Sequence, residues 1–308
     1  MSAGWVAGCV RAKALARRRL GAARVRALAG TQSLDDALAE LADGPYGHDV
    51  RPGQSLAEAQ HAVSAAMLWN LRVLAGWLPP SGGELLRVLA GWFEVANVDE
   101  HVRGLVGEPA GSPYRLGTLA TAWPRLSQTG SLAELRAALA ASTWGDPGGE
   151  TPRLLALGPR LSWARRVAVR IPQAERWVAG ATALLVAREV FGAGGRRMPD
   201  PAATAVDGLL GSGWRTASSL EELARQVPPT ARWALAGVAT STDLWRAEAG
   251  WWSHVQADGR RLLASSRFGP GPTLGAVVLL AVDAWQVQAA LELAARGGGP
   301  LEVFDAVA

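Results

Sequence analysis

Ser33-Leu34-Asp35-Asp36-Ala37-Leu38, Ser131-Leu132-Ala133-Glu134-Leu135 and Ser219-Leu220-Glu221-Glu222-Leu223 are three versions of one phrase, and they decide how this chain is read. Each sets a serine at the head of an apolar-periodic segment with an acid three residues on. The hydroxyl can accept from an early helical N–H while the carboxylate reaches back to the serine N–H, so each is expected to be a capping box that opens a short amphipathic helix. The serines stand 98 residues apart (131 minus 33) and then 88 (219 minus 131), a regularity that points to one module used three times.

The intervals between the boxes support the repeat. Ser55-Leu56-Ala57-Glu58 is a fourth box, and it opens a helix that Pro79-Pro80 must end. A second, more apolar helix is expected from about Glu84 to Arg103, with counterparts from about Gln173 to Val190 and from about Leu274 to Arg296. These three overlay at one acid: Glu94 in Trp92-Phe93-Glu94-Val95, Glu175 in Ala174-Glu175-Arg176-Trp177, and Asp283 in Val282-Asp283-Ala284-Trp285. Three residues on stand Asn97, Val178 and Gln286, so the middle copy lacks the polar partner. An acid in such a helix lies at its solvated margin, pairs with an arginine one turn away, or hydrogen-bonds across a repeat junction. Recurrence at matching places favours the junction and gives no sign of catalysis.

Composition sets the class. The 308 residues are 49% hydrophobic, enough for a sizeable core, and runs of strand-favouring residues are scarce. An all-α protein is expected. The net charge is only 31 minus 27, or +4, and Lys13 is the single lysine. Arginine keeps its charge far above neutrality, so the high isoelectric point overstates the basicity and is no argument for nucleic acid. The local exception is the N-terminus, where Arg11, Lys13, Arg17, Arg18, Arg19, Arg24 and Arg26 precede the first acid, Asp35. That cluster is either a solvated helix face or a patch for anionic lipid or an acidic partner.

Sites of chemistry are hard to find. Cys9 is alone, which excludes internal disulfides and fits a reducing compartment. No two of His48, His61, His101 and His254 have helical metal-ligand spacing, and Asp99-Glu100-His101 reads as a surface turn. There is no phosphate-binding Gly-x-x-x-x-Gly-Lys loop and no nucleophile elbow, so no cofactor, metal or small-molecule ligand is expected and the chain is not expected to be an enzyme. The most apolar stretch, Leu274 to Ala295, holds Asp283, Gln286, Gln288 and Glu292, which argues against a membrane span. With no secretory core after the start, a cytoplasmic chain is expected, at a membrane only through partners. Fourteen tryptophans are read mainly as core, with Trp251-Trp252 the pair expected to be partly exposed.

Gly4-Trp5-Val6-Ala7-Gly8-Cys9-Val10-Arg11-Ala12-Lys13, followed by the Ser33 helix closing on Gly44-Pro45-Tyr46-Gly47, resembles the N-terminal region of the C-type rotor subunit of the bacterial and archaeal V/A-type ATPases, the homologue of the d-type subunit of the eukaryotic V-ATPase. Glu94 with Asn97, and Asp283 with Gln286, look like that family's acid and polar partner in an apolar helix; Val178 departs from the pattern. The resemblance implies three pseudo-threefold helical modules forming a funnel, here 1–113, 114–208 and 209–308. It also implies a rotor subunit peripheral on the inner face of the cell membrane, with the central-stalk subunits and the membrane rotor ring as partners, serving proton or sodium transport. A stand-alone helical-repeat scaffold that binds a peptide or nucleic acid is the competing class.

Overall fold

The computed structural model describes residues 3–192 and 194–298, and every regular element in them is helical. The long helices follow the expected rhythm. Helices α1 (Ala3–Arg17) and α2 (Ala22–Ala29) precede the first box, which opens α3 (Leu34–Ala42); α4 (Leu56–Ala75), α5 (Pro80–Leu105) and α6 (Trp123–Leu126) follow in the first interval. The second has α7 (Leu132–Ala140), α8 (Pro152–Arg170), α9 (Glu175–Phe191) and α10 (Asp200–Leu210). The third box opens α11 (Leu220–Gln226), and α12 (Pro229–Arg232), α13 (Leu244–Ala264) and α14 (Pro270–Ala295) follow it. The Pro79-Pro80 pair separates two helices as expected: α4 stops at Ala75, and Pro80, whose fixed φ suits a first turn, opens α5.

All four serines cap. Ser33, Ser55, Ser131 and Ser219 each accept from the backbone N–H three residues on. The return bond of the capping box forms in full at Ser55, whose N–H donates to Glu58. At the other boxes it is displaced: Glu134 and Glu222 accept from the N–H of Gly130 and Ser218, one residue before the cap, and Asp36 accepts from the Ser33 hydroxyl.

The chain divides into two compact units, Met1–Gly83 with Trp252–Ala308, and Glu84–Trp251. In the first, Val25, Leu28, Leu38, Leu41 and Val63 pack against Val287, Ala290 and Leu291 of α14. The second holds two cores. One joins Val95, Val98 and Val102 of α5 to Leu126, Leu135, Leu139 and Leu155. The other joins Ala183, Val186 and Ala187 of α9 to Val206, Leu223, Ala231 and Leu235. In all three, one long apolar helix completes the core of a Ser-capped segment. Pro113 and Gly208, the expected module boundaries, fall within the stretches that build the second and third cores. Helix α14 is long and apolar enough to cross a membrane by composition, but 78% of its most apolar window is buried inside the protein.

Candidate functional site

Two buried carboxylates organise the molecule. Asp283, in the middle of α14 and 2% exposed, accepts from the backbone N–H groups of Leu20 at 3.1 Å and Gly21 at 2.8 Å, and from the Tyr46 hydroxyl at 2.8 Å. Glu94, in the middle of α5 and fully buried, accepts from the N–H groups of Thr121 at 2.6 Å and Ala122 at 2.7 Å, and from the Trp144 indole at 2.7 Å. In both, the paired N–H groups immediately precede a helix, α2 or α6, where unpaired donors and the positive end of the backbone dipoles favour a negative charge. In both, the aromatic donor stands 13 residues beyond a capping serine, 46 minus 33 and 144 minus 131, after a helix of nine residues.

A cation accompanies each carboxylate. Arg19 is half-buried, and its Nε–H donates to the Ala16 carbonyl at 2.6 Å; burial lowers its pKa, and the attraction of Asp283 opposes that shift. Arg166 lies over the Trp144 ring at 5.0 Å; burial lowers its pKa likewise, with Glu94 opposing. Burial first, and then the neighbouring charge of Asp283, hold the Tyr46 hydroxyl well above its ordinary pKa, so it stays a donor. Each carboxylate thus has three donors and almost no exposure to solvent. The arrangement can lock a segment onto a helix; it gives a substrate no way to reach either group.

Asn97 extends the lock on α5. Its amide donates to the Tyr114 carbonyl at 3.0 Å and its oxygen accepts from the Tyr114 N–H at 2.6 Å, pinning the loop that leads to Thr121. Gln286, one turn beyond Asp283, is buried as well. Glu175 does not join this set. It is exposed in the first turn of α9, and in the corresponding core Gly180 faces Trp233, Ala234 and Trp251. Tryptophan, not a carboxylate, fills this place beside α9: Trp233 stands 14 residues beyond Ser219 (233 minus 219), and Trp251 donates to the Trp177 carbonyl at 2.9 Å.

The N-terminal arginines separate. Arg17 and Arg18 are exposed, whereas Arg19 turns inward toward Asp283. Asp99, Glu100 and His101 part company too: Asp99 pairs with Arg160 of α8, Glu100 accepts from the Gly111 N–H, and the His101 ring meets Thr129. Among the described residues no group of three or more His, Cys, Asp or Glu side chains is placed to hold a metal. Trp251 and Trp252 are half-buried, Trp252 stacking on Trp285 with ring centres 5.3 Å apart. The roles of Tyr46 and Trp144 were not anticipated; their common offset from the capping serines was the available signal. An open concavity of about 490 Å³ lies between Ser112 and Pro124, lined by Tyr114, Arg115 and Trp123 among others. No family model matches the chain, and no curated protein matches it.

Proposed function

We propose that the chain is a non-catalytic rotor subunit of a V/A-type ATPase, a socket that seats the end of the central stalk on the membrane rotor ring. The observation that carries the reading is the duplicated carboxylate lock. A part that transmits torque must resist shear between its helices, and a buried charge held by three hydrogen bonds fixes geometry in a way that apolar packing alone does not. The long apolar helices also run in a cyclic chain order: α5 completes the core of the segment after it, α9 the next, and α14 that of the N-terminal segment. That order is what three pseudo-threefold modules around a funnel would need, and the sequence resemblance to the C-type rotor subunit points the same way. The socket would act at the cytoplasmic face of the membrane.

The concavity at Tyr114, Arg115 and Trp123 favours a second reading, a helical-repeat scaffold that holds a peptide or nucleic acid. Co-expression with the central-stalk and ring subunits of a V/A-type ATPase, followed by purification on this chain, separates the two. Recovery of both partners is the expected result. Recovery of the chain alone, together with nucleic-acid binding that weakens steeply with salt, would replace the rotor by the scaffold.

A further inference from the structure

We propose that the outer face of α1, with Trp77 and Phe268 beside it, docks directly on an anionic lipid surface. The inward side of α1 is used up: Cys9, Ala12, Leu15 and Ala16 are buried. Its outward side is apolar as well. Val6 is 38% and Val10 60% exposed, and the exposed residues Ala3 and Ala14 lie on the same side by helical spacing. Two neighbours extend the patch. Gly8 lets the turn after α4 approach so closely that a Cβ there would meet the Leu78 side chain at 2.3 Å, and this sets Trp77 beside α1, 51% exposed. On the other flank the Gly269 N–H meets the Cys9 sulfur at 3.3 Å, which brings up Phe268, 39% exposed. Four of the nine large hydrophobic side chains exposed on the described protein therefore meet around one helix. Soluble surfaces rarely gather them so.

Charge identifies the occupant. Residues 1–34, 59–83 and 259–282, which supply α1 and both flanks, contain no Asp or Glu at all. Cations stand along both shoulders of the apolar crest. The Arg11 guanidinium lies 5.9 Å from the centre of the Trp77 ring, Lys13 reaches the Ser265 carbonyl at 3.0 Å, and Arg17 and Arg18 are exposed at the C-terminal end of α1. This layering suits a bilayer: apolar side chains enter the acyl boundary, long cationic stems bend to the head-group phosphates, and an indole lies at the interface. An acidic protein would satisfy the cations but has no need of an apolar crest. The proposal does not rest on the rotor reading, since a socket held only by protein partners would leave this face in water.

Flotation of the full chain with phosphatidylcholine vesicles, and with vesicles also containing phosphatidylglycerol, tests it. We expect flotation with the anionic vesicles only, reversed by salt. The double variant Val6→Ser, Val10→Ser should partition about tenfold less or worse, as should Arg17→Glu, Arg18→Glu, each melting as the parent does. Trp245→Ser, an exposed tryptophan elsewhere, should change nothing. Failure of the parent chain to float with anionic vesicles at low salt would overturn the proposal. So would full flotation of the valine variant, because the contact would then be charge alone. Capture of an acidic protein that the valine variant loses, with vesicles ignored by both, would assign the face to a protein instead. Normal flotation without recovery of stalk subunits would remove the rotor reading and leave this one standing.

Discussion

Asp283 ties α14 to the N-terminal segment through three hydrogen bonds. Replacing it by Asn keeps the shape but turns one acceptor into an NH₂ group that faces buried donors, so Asp283→Asn should lower stability by about 2–4 kcal/mol in urea unfolding. Tyr46→Phe removes one donor of three and should lower it less, by about 1–2 kcal/mol. The tyrosine also predicts a pH dependence. Its folded pKa is raised well above 10, so the native state keeps a proton that the unfolded chain loses. Stability is then present below about pH 10 and falls as the pH rises past it. The difference in Tm between the parent and Tyr46→Phe should shrink from about pH 9 to about pH 11. A constant difference would mean that burial and Asp283 do not hold Tyr46 protonated in the folded state. Arg19 provides a contrast with its exposed neighbours. Arg17→Glu and Arg18→Glu together should leave the melting temperature nearly unchanged, whereas Arg19→Glu sets a second carboxylate near Asp283 and should lower stability by about 2–4 kcal/mol.

Helices α13 and α14 approach each other closely at two glycines, Gly259 and Gly275. A Cβ on Gly275 would lie 2.6 Å from the Gly259 carbonyl oxygen and 2.6 Å from the Leu263 nitrogen, both backbone atoms that no rotamer change can move. Gly275→Ala should therefore cost about 1–3 kcal/mol in urea unfolding. Gly208→Ala, inside α10 with nothing within 4 Å, should instead stabilise by about 0.5–1 kcal/mol, since alanine loses less backbone freedom. Element positions were largely legible in the sequence, because capping serines, prolines and apolar periods act locally. The α5 helix expected from about Glu84 to Arg103 runs Pro80–Leu105, and the α14 helix expected from about Leu274 to Arg296 runs Pro270–Ala295. What the acids do was legible only for two of three. Glu94 and Asp283 lie 14 and 13 residues into their helices (94 minus 80, 283 minus 270), deep in the core, whereas Glu175 is the first residue of its own. An acid at the start of a helix faces water and the backbone dipole, and alignment by residue type cannot see that difference. Tyr46 was equally hidden, for its partner lies 237 residues away.

For the whole molecule, the partition of the cores makes a clear expectation. Both cores of Glu84–Trp251 are built only from residues of that span, so a fragment of residues 84–251 should fold alone, with cooperative unfolding and a helical circular dichroism spectrum. A fragment that is molten or insoluble would show that the two units need each other. The first unit is different, since its core and its Asp283 lock draw on both ends of the chain, Leu20 and Asp283 being 263 residues apart. Ending the chain before Pro270 should leave residues 20–66 without their buried partner and sensitive to protease, a loss that limited proteolysis would detect. The ribosome meets this same constraint as a matter of timing. The N-terminal capped segment leaves the exit tunnel long before α14, which carries its carboxylate and the part of its apolar wall from Ala284 to Ala294. Synthesis at about 5–20 residues per second would leave that segment without α14 for on the order of ten seconds or more, an interval in which its apolar face is open to aggregation.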